Sequence, residues 1–216
     1  MAESGKVIRT RRAVEKACME GAKLFAAKGY SETTTRELAS AMDVTNGTFY
    51  YYFPTKEDLL RQICENALAE ITAAATKAVD DAPAGIDAVT LLIHAHIGTV
   101  LASVQAHTTM LTELRALSGE HRESVIAARS RYEQLVRRVL IEAQVAGALD
   151  TKIEVEVLTL LLLNLLNWTI FWYRPEMKLS ADEIADRMVT LFLRGAEPPP
   201  ERRTNARASG VKLGDG

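Results

Sequence analysis

Apolar residues recur at spacings of three and four along most of the chain, which is the periodicity of an amphipathic α-helix. Glycine and proline, which interrupt such patterns, are scarce until the C-terminal end. No segment shows the strict alternation of a half-buried strand. The pattern therefore predicts an all-α protein with about nine helices.

The first two helices have clear sequence boundaries. A helix is predicted from about Arg9 to Lys28, with Gly29 as its terminator. The second helix, over about 35–42, follows Thr34, which can cap it, and Glu37 three residues later completes a capping box.

A short third helix and a long fourth helix follow. Thr45 is the expected N-cap of a helix over 46–53, and Pro54 ends that helix. Thr55 starts the fourth helix, which stays in phase to about Val79 and is long enough to bridge two domains.

The remaining sequence predicts five further helices and a tail. Breaks are expected at His107, Ser118-Gly119, Gly147 and Arg174-Pro175. The predicted helices are 86–105, 109–117, 120–146, 153–173 and 180–194. Residues 195–216 are rich in proline, glycine and charge, so a disordered tail is expected, and its arginines are either DNA contacts or passive.

Two short helices joined by a tight turn form a helix-turn-helix, which places its second helix in the major groove of DNA. Phe49 and Phe53 lie four residues apart and can anchor that helix inside. Asparagine and threonine can address base edges, tyrosine hydroxyls can reach phosphates, and Gly47 permits close approach. The outward-facing positions are Thr45, Asn46, Thr48, Tyr50 and Tyr51.

Charge changes this picture only locally. The net charge of −2 gives no overall attraction to nucleic acid. Residues 1–8 are expected to form a flexible basic arm, and Lys6, Arg9, Arg11 and Arg12 face only Glu3 at this end of the chain. The arm is either a phosphate contact or a solubilising extension.

Residues 9–60 resemble the DNA-binding domain of the Tet repressor family, through the run LFAAKGYSETTTRELASAMDVTNGTFYYYFPTKEDLL. Asp43 departs from the family by standing at its usual turn glycine, although aspartate tolerates a left-handed backbone. The resemblance implies DNA contacts at Thr34, Thr35, Thr45, Asn46, Gly47, Thr48, Tyr50, Tyr51, Tyr52 and Lys56.

The resemblance also implies a division of the chain. Residues 9–56 would form the helix-turn-helix domain, and residues 57–194 would bind a small-molecule inducer and form a homodimer through the last two helices. RYEQL and WYRPEMKLSADEIA are similar to Tet-family regulators of fatty-acid and sterol breakdown, several of which respond to coenzyme A thioesters. If an acyl-CoA binds here, Arg115, Arg131 or Arg174 would meet its phosphates.

The candidate ligand residues combine apolar and polar side chains at helical spacing. The aromatic cluster among them is either a cavity wall or part of the core and dimer interface. His94 and His96 point to different sides of a helix, which argues against a shared metal, and either could line the pocket. The candidates are His94, Ile97, Leu101, Met110, Leu114, Arg131, Asn164, Trp168, Phe171 and Trp172.

Several other classes of protein are not favoured. The uncharged run from Val157 to Trp172 is short for a bilayer and contains two asparagines, so a protein-covered helix is expected instead of a membrane span. Cys18 and Cys64 predict a cytoplasmic protein with buried thiols. No set of residues indicates an enzyme, a cofactor or a metal site.

The sequence therefore predicts a repressor that binds a palindromic operator as a dimer and is released by a hydrophobic inducer, for which an acyl-CoA thioester is one candidate. The alternatives are a helical enzyme and a dimeric scaffold without DNA binding. A scaffold has no use for the tyrosine-rich third helix.

Overall fold

A computed structural model describes residues 2–196, with side chains for residues 12–174 and 176–196. Every regular element in that range is helical, which confirms the all-α prediction. Leu114–Ala116 and Pro175–Met177 form single 3-10 turns. The α-helical segments are α1 (Ala2–Lys28), α2 (Thr35–Ala41), α3 (Asn46–Tyr52), α4 (Lys56–Val79), α5 (Ile86–Ala102), α6 (Val104–Thr112), α7 (Gly119–Val145), α8 (Val155–Asn167), α9 (Thr169–Trp172) and α10 (Ala181–Ala196).

The predicted N-caps position the helices of the N-terminal region. The hydroxyls of Thr34, Thr45 and Thr55 each accept a hydrogen bond from a backbone N–H at the third residue of the following helix. Glu37 and Asp58 complete capping boxes at α2 and α4. These local bonds fix where α2, α3 and α4 begin.

The helix α4 belongs to two hydrophobic cores. Its first half, from Leu59 to Leu68, packs with α1, α2 and α3, and with parts of α6 and α7. Its second half, from Ile71 to Val79, packs with α5, α7, α8 and α10. A displacement of α4 would therefore change the packing of both cores.

The first helix begins at Ala2 and not near Arg9 as the sequence predicted. Residues 2–8 contain no proline, and Gly5 alone does not end the helix. The predicted phosphate contacts of Lys6, Arg9 and Arg11 fall outside the side chains that the structure describes.

The bend after α5 lies at Ser103, so the predicted break at His107 was wrong. Ser103 has φ −139° and ψ 50°, and the axes of α5 and α6 differ by 97°. This bend sets α6 against α1, where the buried Thr109 hydroxyl donates to the Ala22 carbonyl over 3.2 Å. The packing of α6 against α1 therefore decides where the helix breaks. The spacing of apolar residues along the chain does not show this packing.

The C-terminal helices also differ in detail from the prediction. α6 ends at Thr112 and the 3-10 turn Leu114–Ala116 follows it, so no single helix covers 109–117. The helix predicted over 153–173 is divided at Trp168 into α8 and the single turn α9. Of the predicted tail, residues 195 and 196 belong to α10, and 197–216 lie outside the described residues.

Candidate nucleic-acid interface and ligand cavity

The turn between α2 and α3 is built around Asp43. This residue has φ 61°, as the resemblance implied for the place of a turn glycine. The Val44 N–H donates to the Ala39 carbonyl over 2.9 Å, which closes the turn. The chain thus reverses between the two helices and presents α3 at the surface.

Two phenylalanines hold α3 on the core. Phe49 is fully buried and Phe53 is 4% exposed, as predicted, and their rings lie 5.8 Å apart. On the opposite side, Tyr50 and Tyr51 are 48% and 75% exposed. Large aromatic side chains facing solvent on a short helix are available to a partner.

Gly47, on the exposed side of α3, is not required by the fold. A Cβ added there would have Thr45 Oγ1 as its nearest neighbour, at 3.8 Å. Gly21, in contrast, would place a Cβ 2.9 Å from Leu59 Cδ2, where α1 crosses α4. The close crossing of α1 and α4 therefore explains why residue 21 is glycine. No neighbour within the described protein requires a glycine at position 47, so the space there is open to a binding partner.

The threonines predicted to contact DNA also organise their own helices. Thr34 and Thr45 serve as caps, and the Thr45 and Thr48 hydroxyls are 3.0 Å apart. Thr35 Oγ1 lies 3.3 Å from the Tyr50 hydroxyl, which links α2 to α3. The structure thus brings Thr35 to Tyr50, and it sets Thr45 and Thr48 beside Asn46 at the start of α3.

Lys56 and Tyr52 are less available than their neighbours. The Lys56 ammonium donates to the carbonyls of Tyr30 and Thr33, both over 2.8 Å, and lies 4.2 Å from the Tyr30 ring centre. Partial burial lowers the pKa of Lys56. Tyr52 is partly buried against the N-terminal core. Lys56 therefore stabilises the α1–α2 connection as well as offering its third N–H to a ligand.

Arg36 was not predicted by the sequence analysis. It is exposed on α2 and lines a surface groove with Asp43, Thr45 and Asn46. The next residue, Glu37, is bound by the Lys28 ammonium and by Thr34, and these bonds lower its pKa to about 2. The sequence signal that could have identified Arg36 was its position on α2, close to the turn that leads into α3.

The aromatic cluster of the C-terminal half lies on the surface of the protomer. Trp168 and Phe171 are 62% and 47% exposed, and Asn164 and Trp172 are also exposed. Leu161 continues the same face of α8. Of the two alternatives left open by the sequence, this placement favours an interface over the wall of a cavity.

The stretch Val155–Trp172 has the length and composition of a membrane span, with a mean hydropathy of 1.6, and 33% of it is buried. Its inward residues Leu158, Leu162 and Leu166 are buried in the C-terminal core. One face of this stretch is therefore covered by the protomer, whereas the other is not.

The histidine and arginine ligand candidates also lie outside the core. His94 Nε2 is 3.0 Å from Asp186 Oδ1 and Nδ1 is 3.4 Å from Asp182 Oδ1, so His94 joins α5 to α10. Arg115 and Arg131 are exposed, and Arg174 donates to the backbone carbonyls of Phe171 on α9 and of the neighbouring Tyr173. The structure does not bring these side chains together.

The apolar candidates are interior, and one of them borders a cavity. Ile97 is fully buried, whereas Leu101 and Leu114 are partly buried in different cores. Met110 lines a narrow cavity of about 30 Å³ between α4, α6, α7 and α8. The lining residues are Leu68, Ile71, Met110, Leu111, Arg129, Tyr132, Glu133, Leu163 and Asn167.

A buried polar cluster adjoins this cavity, and sequence reasoning missed most of it. His96 Nδ1 lies 2.7 Å from the hydroxyl of Tyr132, which lines the cavity. His107, one helix away, and Thr169, on α9 next to α6, are also buried. His96 Nε2, His107 Nε2 and Thr169 Oγ1 have no hydrogen-bond partner among the described residues.

Burial keeps this cluster neutral. It lowers the pKa of His107 to about 4, and together with the neighbouring His107 it lowers that of His96 to about 3. The Asn167 amide acts in the opposite direction on His96. Burial also raises the pKa of the Tyr132 hydroxyl.

Both cysteines are buried, as predicted. Cys18 is 8% exposed and Cys64 is fully buried. Burial raises the pKa of each thiol to about 12. Neither thiol is therefore ionised near neutral pH, which favours structural roles for both.

Comparison with known proteins identifies the class of this chain. Residues 20–63 match "Bacterial regulatory proteins, tetR family", and residues 84–196 match "Tetracyclin repressor-like, C-terminal domain". The HTH-type transcriptional repressor KstR2 of Rhodococcus jostii is 25% identical over 182 residues, covering 82% of this chain and 88% of that protein.

Solved structures show the same fold. The TetR family transcriptional regulator PfmR of Thermus thermophilus is 33% identical, with a TM-score of 0.77 over 85% of this chain and all of PfmR. AibR, in a complex with isovaleryl coenzyme A and operator DNA, is 23% identical, with a TM-score of 0.75 over 83% of this chain and 97% of AibR. These relatives are regulators and not enzymes, and the chain belongs to the TetR family of transcriptional regulators.

Proposed function

We propose that this protein is a cytoplasmic, homodimeric repressor that binds a palindromic operator through α3 and leaves it when a hydrophobic small molecule binds the C-terminal region. An acyl-CoA thioester is the inducer class that we propose first. The proposal follows the family, together with the arrangement of exposed and buried residues in this chain.

The observation that carries the DNA-binding part is the side-chain-free surface at Gly47. The helix places this glycine between Asn46 and Thr48, beside the exposed Tyr51, and no packing within the described protein requires it. Because glycine has no side chain, the backbone of α3 can approach the floor of a DNA groove at this position, while the neighbouring side chains form hydrogen bonds. We place the base contacts at Asn46 and Thr48 and the phosphate contacts at Tyr50, Tyr51 and Arg36.

The exposed apolar face of α8 and α10 supports the dimer. Leu161, Asn164 and Trp168 follow one another at spacings of three and four on one side of α8, and Leu191 on α10 is 65% exposed. Large apolar side chains exposed at such positions are typical of a protein interface. A two-fold axis through it would present two copies of α3 to an operator of the same symmetry.

The helix α6 offers a route from the ligand cavity to DNA. Met110 on α6 lines the cavity, whereas Thr109 beside it holds α6 to α1 through the Ala22 carbonyl. A ligand that widens the cavity would displace α6 and α4 and so change the separation of the two α3 helices. Coupling requires that the ligand prefer the arrangement that fits DNA poorly.

Two observations support an acyl-CoA. The cavity is lined mostly by apolar side chains and carries the exposed Arg129 on its lining, a position suited to a phosphate. AibR, which shares the fold, was solved with isovaleryl coenzyme A and operator DNA. Arg129 thus replaces Arg115, Arg131 and Arg174 as the phosphate contact that we propose.

The test is release of the protein from DNA by acyl-CoA thioesters of increasing chain length. An operator fragment selected by the protein would be labelled, and its anisotropy followed during titration with each thioester. Free coenzyme A is the control for the nucleotide part. Release by a thioester at concentrations where coenzyme A has no effect supports the proposal, and an unchanged complex with every thioester contradicts the acyl-CoA assignment.

A further inference from the structure

The buried polar cluster beside the cavity lacks a structural explanation. Its atoms His107 Nε2 and Thr169 Oγ1 are buried without a hydrogen-bond partner among the described residues. His96 Nε2 has none at full hydrogen-bond distance either, although the Asn167 side chain lies close enough to act on the pKa of His96. A buried polar group that is left unpaired destabilises the folded protein. Apolar residues at these positions would avoid that cost, so the cluster calls for another explanation.

The cluster is connected to the cavity through Tyr132. The Tyr132 hydroxyl is held by His96 Nδ1 at 2.7 Å, and the same side chain lines the cavity together with Asn167. His107 lies near enough to His96 to influence its ionisation, and it is on α6 with the cavity-lining Met110. Polar groups from α5, α6, α7 and α8 thus converge at one end of an apolar space.

We infer that His96, His107 and Tyr132 of this cluster, together with Asn167 on the cavity wall, bind a neutral oxygen, a ketone or a hydroxyl, on the buried part of the inducer. The inference rests on the proposed function, because it concerns the ligand of that same cavity. It adds that a purely hydrocarbon chain is not the preferred ligand.

The charge of the surroundings selects a neutral group over an anion. Burial holds both histidines in the uncharged form at neutral pH. The charged residues described around the cavity are Arg129 and Glu133, which have opposite signs and are both exposed. A carboxylate at the cluster would therefore lose its hydration without meeting a cation. A carbonyl or hydroxyl needs only the hydrogen bonds that neutral imidazole, phenol and amide groups offer.

The test uses matched probes on the full-length protein without DNA. The probes are 2-octanone, 2-methyl-1-octene, in which CH₂ replaces the carbonyl oxygen, and octanoate. Dissociation constants would be obtained from thermal-unfolding shifts at equal free concentrations. We expect the ketone to bind at least about tenfold more tightly than the alkene and octanoate, as one buried hydrogen bond allows.

His107→Leu separates recognition from a structural role. Because His107 Nε2 has no partner, the variant without ligand should melt at the same temperature as the wild type or higher, while its preference for the ketone falls to less than about twofold. His94→Leu, two residues from His96 and outside the cavity, is the matched control and should keep the full preference. Tyr132→Phe should lose both the preference and some stability, because it leaves His96 Nδ1 unpaired.

The outcomes are decisive. The inference is overturned if the wild type binds the ketone and the alkene equally, if it binds neither, or if His107→Leu keeps the full preference for the ketone. Operator binding is measured separately by anisotropy. A protein that binds DNA but shows no ketone preference loses this inference alone, whereas one that binds the ketone but no DNA loses the proposed function and keeps the site.

Discussion

The two regions joined by α4 place their functional groups in opposite ways. In the N-terminal region the candidate contacts Asn46, Gly47, Tyr50 and Tyr51 lie within six residues of the chain and are exposed on one short helix. In the C-terminal region the polar cluster is buried, and His96 and Tyr132 are 36 residues apart. A surface for a large rigid partner can be built locally, whereas an enclosed site for a small ligand needs several helices.

The largest effect that we expect in this comparison comes from the C-terminal region. Leu161→Glu places a charge in the exposed apolar face of α8 and should yield folded monomers. Operator affinity should fall by more than about 100-fold, because two linked half-site contacts become single ones. Sedimentation and anisotropy measure the two effects.

Val145→Glu is the matched control, since Val145 is 84% exposed at the end of α7 and outside that face. It should remain dimeric and bind DNA normally. If Leu161→Glu also remains a dimer, the interface has been placed on the wrong face.

The second effect is a loss of folding stability at low pH, which we expect from the buried histidines of the C-terminal region. The unfolded histidines titrate near 6.5, whereas burial lowers the pKa of His107 to about 4 and that of His96 to about 3. The unfolded state therefore binds more protons below pH 6.5, so stability is complete above that pH and is lost as pH falls. The loss should reach roughly 2 kcal/mol per histidine at pH 5.

Urea unfolding between pH 7 and pH 5 measures this loss. His107→Leu should remove its own part of the pH dependence. An identical pH slope in His107→Leu and the wild type would show that His107 is not held neutral by burial.

The third effect tests whether α3 meets a partner at Gly47. Gly47→Ala should weaken operator binding by about tenfold or more, because the added methyl group occupies the space of close approach. Stability should be unchanged or rise by up to about 1 kcal/mol, since alanine favours the helix. Gly98→Ala on α5, where nothing lies within 4 Å of an added Cβ, should alter stability in the same direction without affecting DNA binding. Equal operator affinity in both variants would exclude a close approach at Gly47.

The smallest effect concerns the turn. Asp43 has φ 61°, and glycine adopts that conformation without the steric cost of a side chain. Asp43→Gly should therefore stabilise the protein by up to about 1 kcal/mol in urea unfolding. Asp80→Gly is the control, because Asp80 has φ −59° at the end of α4 and should lose stability instead. Destabilisation by Asp43→Gly would mean that the aspartate side chain itself supports the turn.

The sequence predicted the N-terminal region almost completely, for a physical reason. The caps Thr34, Thr45 and Thr55 act on backbone groups within three residues, so the neighbouring sequence is enough to recognise them. Phe49 and Phe53 likewise show their common face by spacing alone. The start of α1 at Ala2, the groove lined by Arg36 and the bonds of Lys56 to Tyr30 and Thr33 were seen only in the folded chain.

In the C-terminal region the sequence predicted the helices, but of the ligand candidates that it offered only Met110 lines the cavity between α4, α6, α7 and α8. The bend at Ser103 depends on the packing of α6 against α1, and it decides that His107 faces the core. Trp168 was expected either in a cavity or at an interface, and helical spacing alone cannot distinguish an inward from an outward aromatic side chain. Such a distinction depends on which helices cover α8.

The most direct test of the central claim is selection of bound sequences from a random pool of double-stranded DNA by the purified protein, with Gly47→Ala selected in parallel. We expect the wild type to enrich an inverted repeat whose half-sites match the two-fold symmetry of the dimer, and Gly47→Ala to enrich it weakly or not at all. Failure of the wild type to enrich any sequence, or enrichment of a single unrepeated site, would contradict a dimeric regulator that reads its operator through α3.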